Sequence, residues 1–82
     1  MDTKFIKVTE VEERGIVRRE LGIKEEVEVV PFRELILSVD KIVYFYEYKE
    51  NNIKYTVIIT DVNRICVKES VEELQEKLKA VE

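Results

Sequence analysis

"KIVYFYEYKENNIKYTVIIT", residues 41–60, consists of two β-rich runs around a short polar break, and its reading decides the fold. Val, Ile, Tyr and Phe suit a pleated, half-buried surface, and Glu50-Asn51-Asn52 interrupts them. The segment reads as a β-hairpin. A two-residue Asn51-Asn52 loop suits a type I′ turn, because Asn tolerates positive φ at both central positions. Strand alternation then puts Ile42, Tyr44, Tyr46 and Tyr48 on one face with Tyr55, Val57 and Ile59. The other face carries Val43, Phe45, Glu47, Lys49, Lys54, Thr56, Ile58 and Thr60. A three-residue loop would shift the pairing by one and part the tyrosines from the aliphatics. The shorter loop is preferred, although it opposes Lys49 to Lys54 at a cost on the order of a few tenths of a kcal/mol.

Working outward toward the C-terminus, "DVN" turns the chain into a third strand, "RICVK", giving a meander of 42–49, 53–60 and 64–68. The apolar period then changes from 2 to 3.6. Val71, Leu74, Leu78 and Val81 form one stripe of a closing helix. Ser70 with Glu73 is a capping box, and Ser70→Ala should cost ~1 kcal/mol. Glu72 and Glu73 favour the positive helix start, and Lys77 and Lys79 the other end.

Toward the N-terminus, "KFIKVTEV" (4–11) reads as a strand and "EERG" (12–15) as a turn. "IVRRELG" (16–22) fits either a short helix or a strand, with Gly22 closing the helix or bending the chain. "EEVEVV" (25–30) alternates as a strand, which Pro31 either ends or marks as an edge. "FRELILS" (32–38) is a further strand, and "SVDK" turns through Asp40. The expected fold is α+β: an antiparallel β-sheet meander of four to six strands with a C-terminal α-helix packed on one face. A chain of 82 residues allows one domain, 1–82, with a thin stability margin that makes an oligomer attractive.

Composition excludes several kinds of chemistry. With no His and a single Cys, no His-metal site, Ser-His-Asp triad, Cys-His dyad or internal disulfide can be built. Cys66, between Ile65 and Val67, reads as an ordinary strand residue. Fourteen basic against 18 acidic residues, net charge −4, disfavour a generic nucleic-acid binder without excluding one. No run approaches a membrane span, "MDTKFIKVTE" lacks a signal-peptide core, and the expected address is the cytoplasm. Abundant Lys, Glu, Ile and Val suit a thermophile, though an AT-rich genome gives the same bias.

Three features invite a functional reading. Tyr44, Tyr46, Tyr48 and Tyr55 form a stripe of large, amphipathic rings, a pattern used at protein interfaces and for base stacking. The same rings can instead cover the core with their hydroxyls in water. Arg14, Arg18 and Arg19 form a loose basic cluster that could meet phosphate or an acidic partner, or simply Glu12, Glu13 and Glu20. Glu12-Glu13, Glu25-Glu26 and Glu72-Glu73 read as solvated faces, since sequence neighbours do not supply the cleft that acid–base catalysis needs. No glycine-rich phosphate loop occurs, and neither a cofactor nor a small-molecule substrate is implied.

The order "FIKVT" (5–9), "ILSVDKIV" (36–43), "YTVIITD" (55–61) and "VKESVEEL" (67–74) resembles a family of small proteins typified by the flagellar protein FlbD. The match spans about residues 4–11 and 34–78, with "EERGIVRRELGIKEEVEVVP" intervening and "DVNR" where the family has a glycine turn. The resemblance implies a non-enzymatic accessory protein, in some relatives tied to flagellar function, with no catalytic residues to carry over. A fainter similarity is to LytTR-type DNA-binding domains, whose basic loops are missing here. The expectation is a protein-binding or self-associating module, with a homodimer plausible. The alternative is a nucleic-acid-facing regulator or a phage or viral accessory factor.

Overall fold

The computed structural model describes residues 4–18, 24–50 and 53–81. Five strands, β1 (Phe5–Arg18), β2 (Lys24–Ser38), β3 (Ile42–Glu50), β4 (Ile53–Thr60) and β5 (Arg64–Val67), precede one helix, α1 (Val71–Ala80). They form a single antiparallel sheet in the order β2-β1-β5-β4-β3. The helix packs against it, so the architecture is the expected α+β.

The central hairpin has the register that a two-residue loop dictates. Glu50 pairs with Ile53, Tyr48 with Tyr55, Tyr46 with Val57 and Tyr44 with Ile59, and Lys49 faces Lys54. Residues 51 and 52 themselves lie outside the described residues. One expectation about the faces is overturned. A β-bulge at Val43 puts Ile42 opposite Thr60, and Ile42 packs into the core on the helix side instead of joining the tyrosines. An extra residue in a strand resets the period-2 alternation for everything beyond it.

The N-terminal half departs further from expectation. "EERG" is no turn: Glu12, Glu13, Arg14 and Gly15 pair with Val30, Val29, Glu28 and Val27, all within β1. Pro31 does not end a strand but sits inside β2, an outer strand of the sheet, where a missing N–H is tolerated. The pairing slips by one at this point, from Glu10–Arg33 to Val11–Pro31, leaving Phe32 as the bulged residue. Long-range pairing has overridden weak local turn signals. Of the ambiguous stretch 16–22, residues 16–18 belong to β1 and the rest lie outside the described residues.

The link between β2 and β3 forces the sheet to roll. The outermost strands of a flat five-stranded sheet stand ~19 Å apart. The connection from Ser38 to Ile42 can span at most ~14 Å, and less because Val39–Lys41 form a 3₁₀ turn. The edges therefore approach at that end. The Val39 N–H donates to the Lys4 carbonyl at 2.9 Å, and the Asp61 N–H donates to the Lys41 carbonyl at 3.2 Å. Both outer strands feed one core: Leu35 and Leu37 of β2 and Ile42 and Phe45 of β3 pack against Ile6, Val8, Ile58, Ile65, Val67 and Leu74.

The helix closes this core. Ser70 Oγ accepts from the Glu73 N–H at 3.1 Å and the Glu73 carboxylate accepts from the Ser70 N–H at 3.5 Å, completing the capping box. Leu74 is buried, and Leu78 and Val81 pack beside it, as the stripe requires. On the opposite face Val11, Tyr55 and Val57 form a second, smaller cluster with Tyr48, Ile59 and Cys66 at its margin.

Candidate functional site

The tyrosine stripe divides into two pairs. Tyr48 and Tyr55 oppose each other across β3 and β4, and their rings stack at 4.8 Å between centroids, an offset contact worth about 0.5–1.5 kcal/mol beyond burial. Tyr55 is 6% exposed and its hydroxyl donates to Glu13 Oε1 at 2.9 Å. Burial, followed by that hydrogen bond, pushes its phenol well above the ordinary tyrosine range. The Tyr48 hydroxyl donates to the Glu50 carboxylate, which raises its pKa in turn. These two rings cover the small cluster around Val57, so their first role is to pack.

Tyr44 and Tyr46 behave differently. They follow on alternate positions of the outer strand β3, 54% and 41% exposed, with ring centroids 6.2 Å apart and planes inclined by 24°. Val43 beside them is exposed because the bulge turns it out of the core. The hairpin thus holds a pair of aromatic rings at the rim of the sheet, on a strand that among the described residues has a neighbour on one side only. Large, rigid, amphipathic rings lose little entropy on contact, which suits them to recognition.

Of the basic cluster, Arg14 alone has its side chain among the described residues. Arg14 makes an ion pair with Glu12 at 2.7 Å. The Arg18 side chain and Arg19 lie outside the described residues. Elsewhere Lys7 meets Glu34 at 3.0 Å, Arg33 meets Glu10 at 2.6 Å, Lys41 meets Asp61 at 3.2 Å and Lys54 meets Glu47 at 3.5 Å. Exposed pairs of this kind add little stability, but each lowers the positive field available to a phosphate backbone.

Glu69 is a residue that the sequence did not single out. It is 7% exposed, and its Oε1 accepts from the Thr9 N–H at 2.7 Å, while the Lys68 N–H donates to the Thr9 carbonyl at 2.9 Å. Strands β1 and β5 share only the Glu10–Val67 pair, so the carboxylate continues their ladder where the backbone cannot. Only a long-range contact over sixty positions reveals this, and no local pattern signals it.

Shallow grooves lie among the described residues. About 300 Å³ lies at the rolled end between Ile36, Lys41, Val62 and Ile65, about 250 Å³ lies beside the helix start near Lys54, Lys68 and Glu72, and about 250 Å³ lies between Glu13, Tyr55, Arg64 and Cys66. Among the described residues no group of three or more His, Cys, Asp or Glu could hold a metal ion, and no helix is long and apolar enough to cross a membrane. No family model matches the chain, and no curated protein and no solved structure matches it.

Proposed function

We propose that the chain is a small accessory module without catalysis that binds a protein partner through the β3–β4 hairpin. One observation carries this: Tyr44 and Tyr46 are exposed side by side on an outer strand, in a sheet whose other tyrosines are packed. The resemblance to FlbD-like accessory proteins supports the same role, and a cytoplasmic address agrees with it. Carboxylates support it too, because Glu10, Glu12, Glu34, Glu47 and Asp61 are in exposed ion pairs and Glu13 and Glu69 accept structural hydrogen bonds. A general acid or base instead needs a free carboxyl in a cleft. Nucleic acid is the less favoured ligand, since Lys7, Arg14, Arg33, Lys41 and Lys54 are each paired with a carboxylate.

Replacing Tyr46 by a photo-crosslinking phenylalanine analogue in the native cells tests the reading. Protein adducts at this position, without adducts from the same analogue at Lys79 on the helix, are the expected result. Adducts to DNA or RNA would transfer the site to a nucleic acid, and equal labelling at both positions would remove it.

A further inference from the structure

The two edges of the sheet are built differently. Strand β2 carries Pro31, which offers no N–H, a bulge at Phe32, and the charged pair Arg33 and Glu34, features that deter a further strand from adding. Strand β3 has neither proline nor bulge between Tyr44 and Glu50, its charged Glu47 and Lys49 are of opposite sign, and among the described residues no strand lies beyond it. In a hairpin with a two-residue loop, Glu50 and Ile53 exchange hydrogen bonds, so Tyr48, Tyr46 and Tyr44 aim their backbone groups at β4. Phe45, Glu47 and Lys49 then aim theirs away, and these have no backbone partner among the described residues.

We propose that this edge pairs with the same edge of a second copy, antiparallel about a two-fold axis, with Lys49 of each chain opposite Glu47 of the other. The proposal rests on the partner-binding role assigned to the hairpin and names the partner. Charge selects the register. A two-fold at Glu47 sets Glu47 against Glu47, and one at Lys49 sets Lys49 against Lys49, both repulsive. A two-fold at Tyr46 leaves Glu47 facing Phe45 and Lys49 facing Val43. Only the axis at Tyr48 pairs opposite charges, and it does so twice. It also answers a mismatch inside the hairpin: Lys49 faces Lys54, and Glu47 already serves Lys54 at 3.5 Å.

In this register Tyr48 meets Tyr48 of the second copy at the closer, non-hydrogen-bonded spacing, and the tyrosine rows of both chains become continuous. Pairing of Glu47 with Lys49 in both directions adds about four backbone hydrogen bonds. Because one edge is guarded and the two-fold uses the other, the assembly closes at two chains instead of growing into a filament.

Sedimentation velocity over a wide concentration series tests association, with circular dichroism as the check that each variant folds. The wild-type chain should dimerise. Glu47→Lys and Lys49→Glu should each weaken the dimer by about tenfold or more in Kd, and the double exchange should restore it. In a Cys66→Ser background, Tyr48→Cys should form a disulfide-linked dimer on oxidation, while Tyr44→Cys should not. A chain monomeric throughout, a dimer indifferent to both single exchanges, or crosslinking through Tyr46→Cys in place of Tyr48→Cys would overturn the proposal. If the chain is monomeric yet Tyr46 still crosslinks to another protein in cells, the partner-binding role survives and the self-pairing does not.

Discussion

Tyr55 and Glu69 illustrate how a single polar group is made safe inside a small core. Tyr55 is buried by the ring of Tyr48 and the aliphatics of the second cluster, and its hydroxyl is satisfied by Glu13. Its folded-state pKa is raised, so the folded chain keeps the proton at a pH where the unfolded chain has lost it. The contribution to stability is therefore complete below the ordinary tyrosine pKa of about 10 and falls away as pH rises above it. Urea midpoints measured from neutral to strongly alkaline pH should fall, and Tyr55→Phe should flatten that decline. A decline unchanged by the substitution would assign it to other groups. Glu69 is tested at neutral pH. Removing its acceptor in Glu69→Ala strands the Thr9 N–H and should cost about 1.5–3 kcal/mol in urea denaturation, whereas Glu69→Gln retains an oxygen and should cost about half as much.

At the scale of elements, β1 and β2 are supported unevenly along their length. Up to Glu10 they pair with each other and lie beside β5, and their inward residues Ile6, Val8, Leu35 and Leu37 join the main core. Past the bulge the two strands go on pairing only with each other as far as Arg18 and Lys24. A two-stranded ribbon is marginal on its own in water. Hydrogen exchange should therefore be faster at the paired amides of Glu12, Arg14, Glu28 and Val30 than at Val57 and Ile58 of β4, which has a neighbour on each side. Equal protection would mean that a partner or a further contact braces the ribbon. The hairpin of β3 and β4 was legible because Asn51-Asn52 fixes its loop and each side alternates. The length of β1 and β2 was not, because Glu12, Glu13 and Gly15 carry turn-like signals that only cross-strand pairing overrides.

At the scale of the whole molecule, the same ribbon makes the chain long. Its radius of gyration is 15.4 Å over extents of 58 × 19 × 18 Å, against about 12 Å expected for a compact domain of this length. Small-angle scattering from Glu47→Lys, which should hold the copies apart, is expected to give a radius nearer 15 Å than 12 Å. A compact value would show that the ribbon folds back onto the body. A rolled sheet with one small helix leaves Tyr44, Tyr46 and Val43 at the rim, and few residues remain to cover them.

The sequence by itself determined what depends on near neighbours. Asn51-Asn52 fixes the register of the hairpin, the Tyr44-Tyr46-Tyr48 alternation fixes a face, and Ser70 with Glu73 starts the helix at Val71. Only the tertiary structure decided which tyrosines are buried, that Ile42 leaves their face at a bulge, that Pro31 lies inside an edge strand, and that Glu69 bridges to Thr9. Each of these is a contact between residues distant in sequence. A short link that rolls the sheet settles them together, and no local pattern of residue types records such a closure.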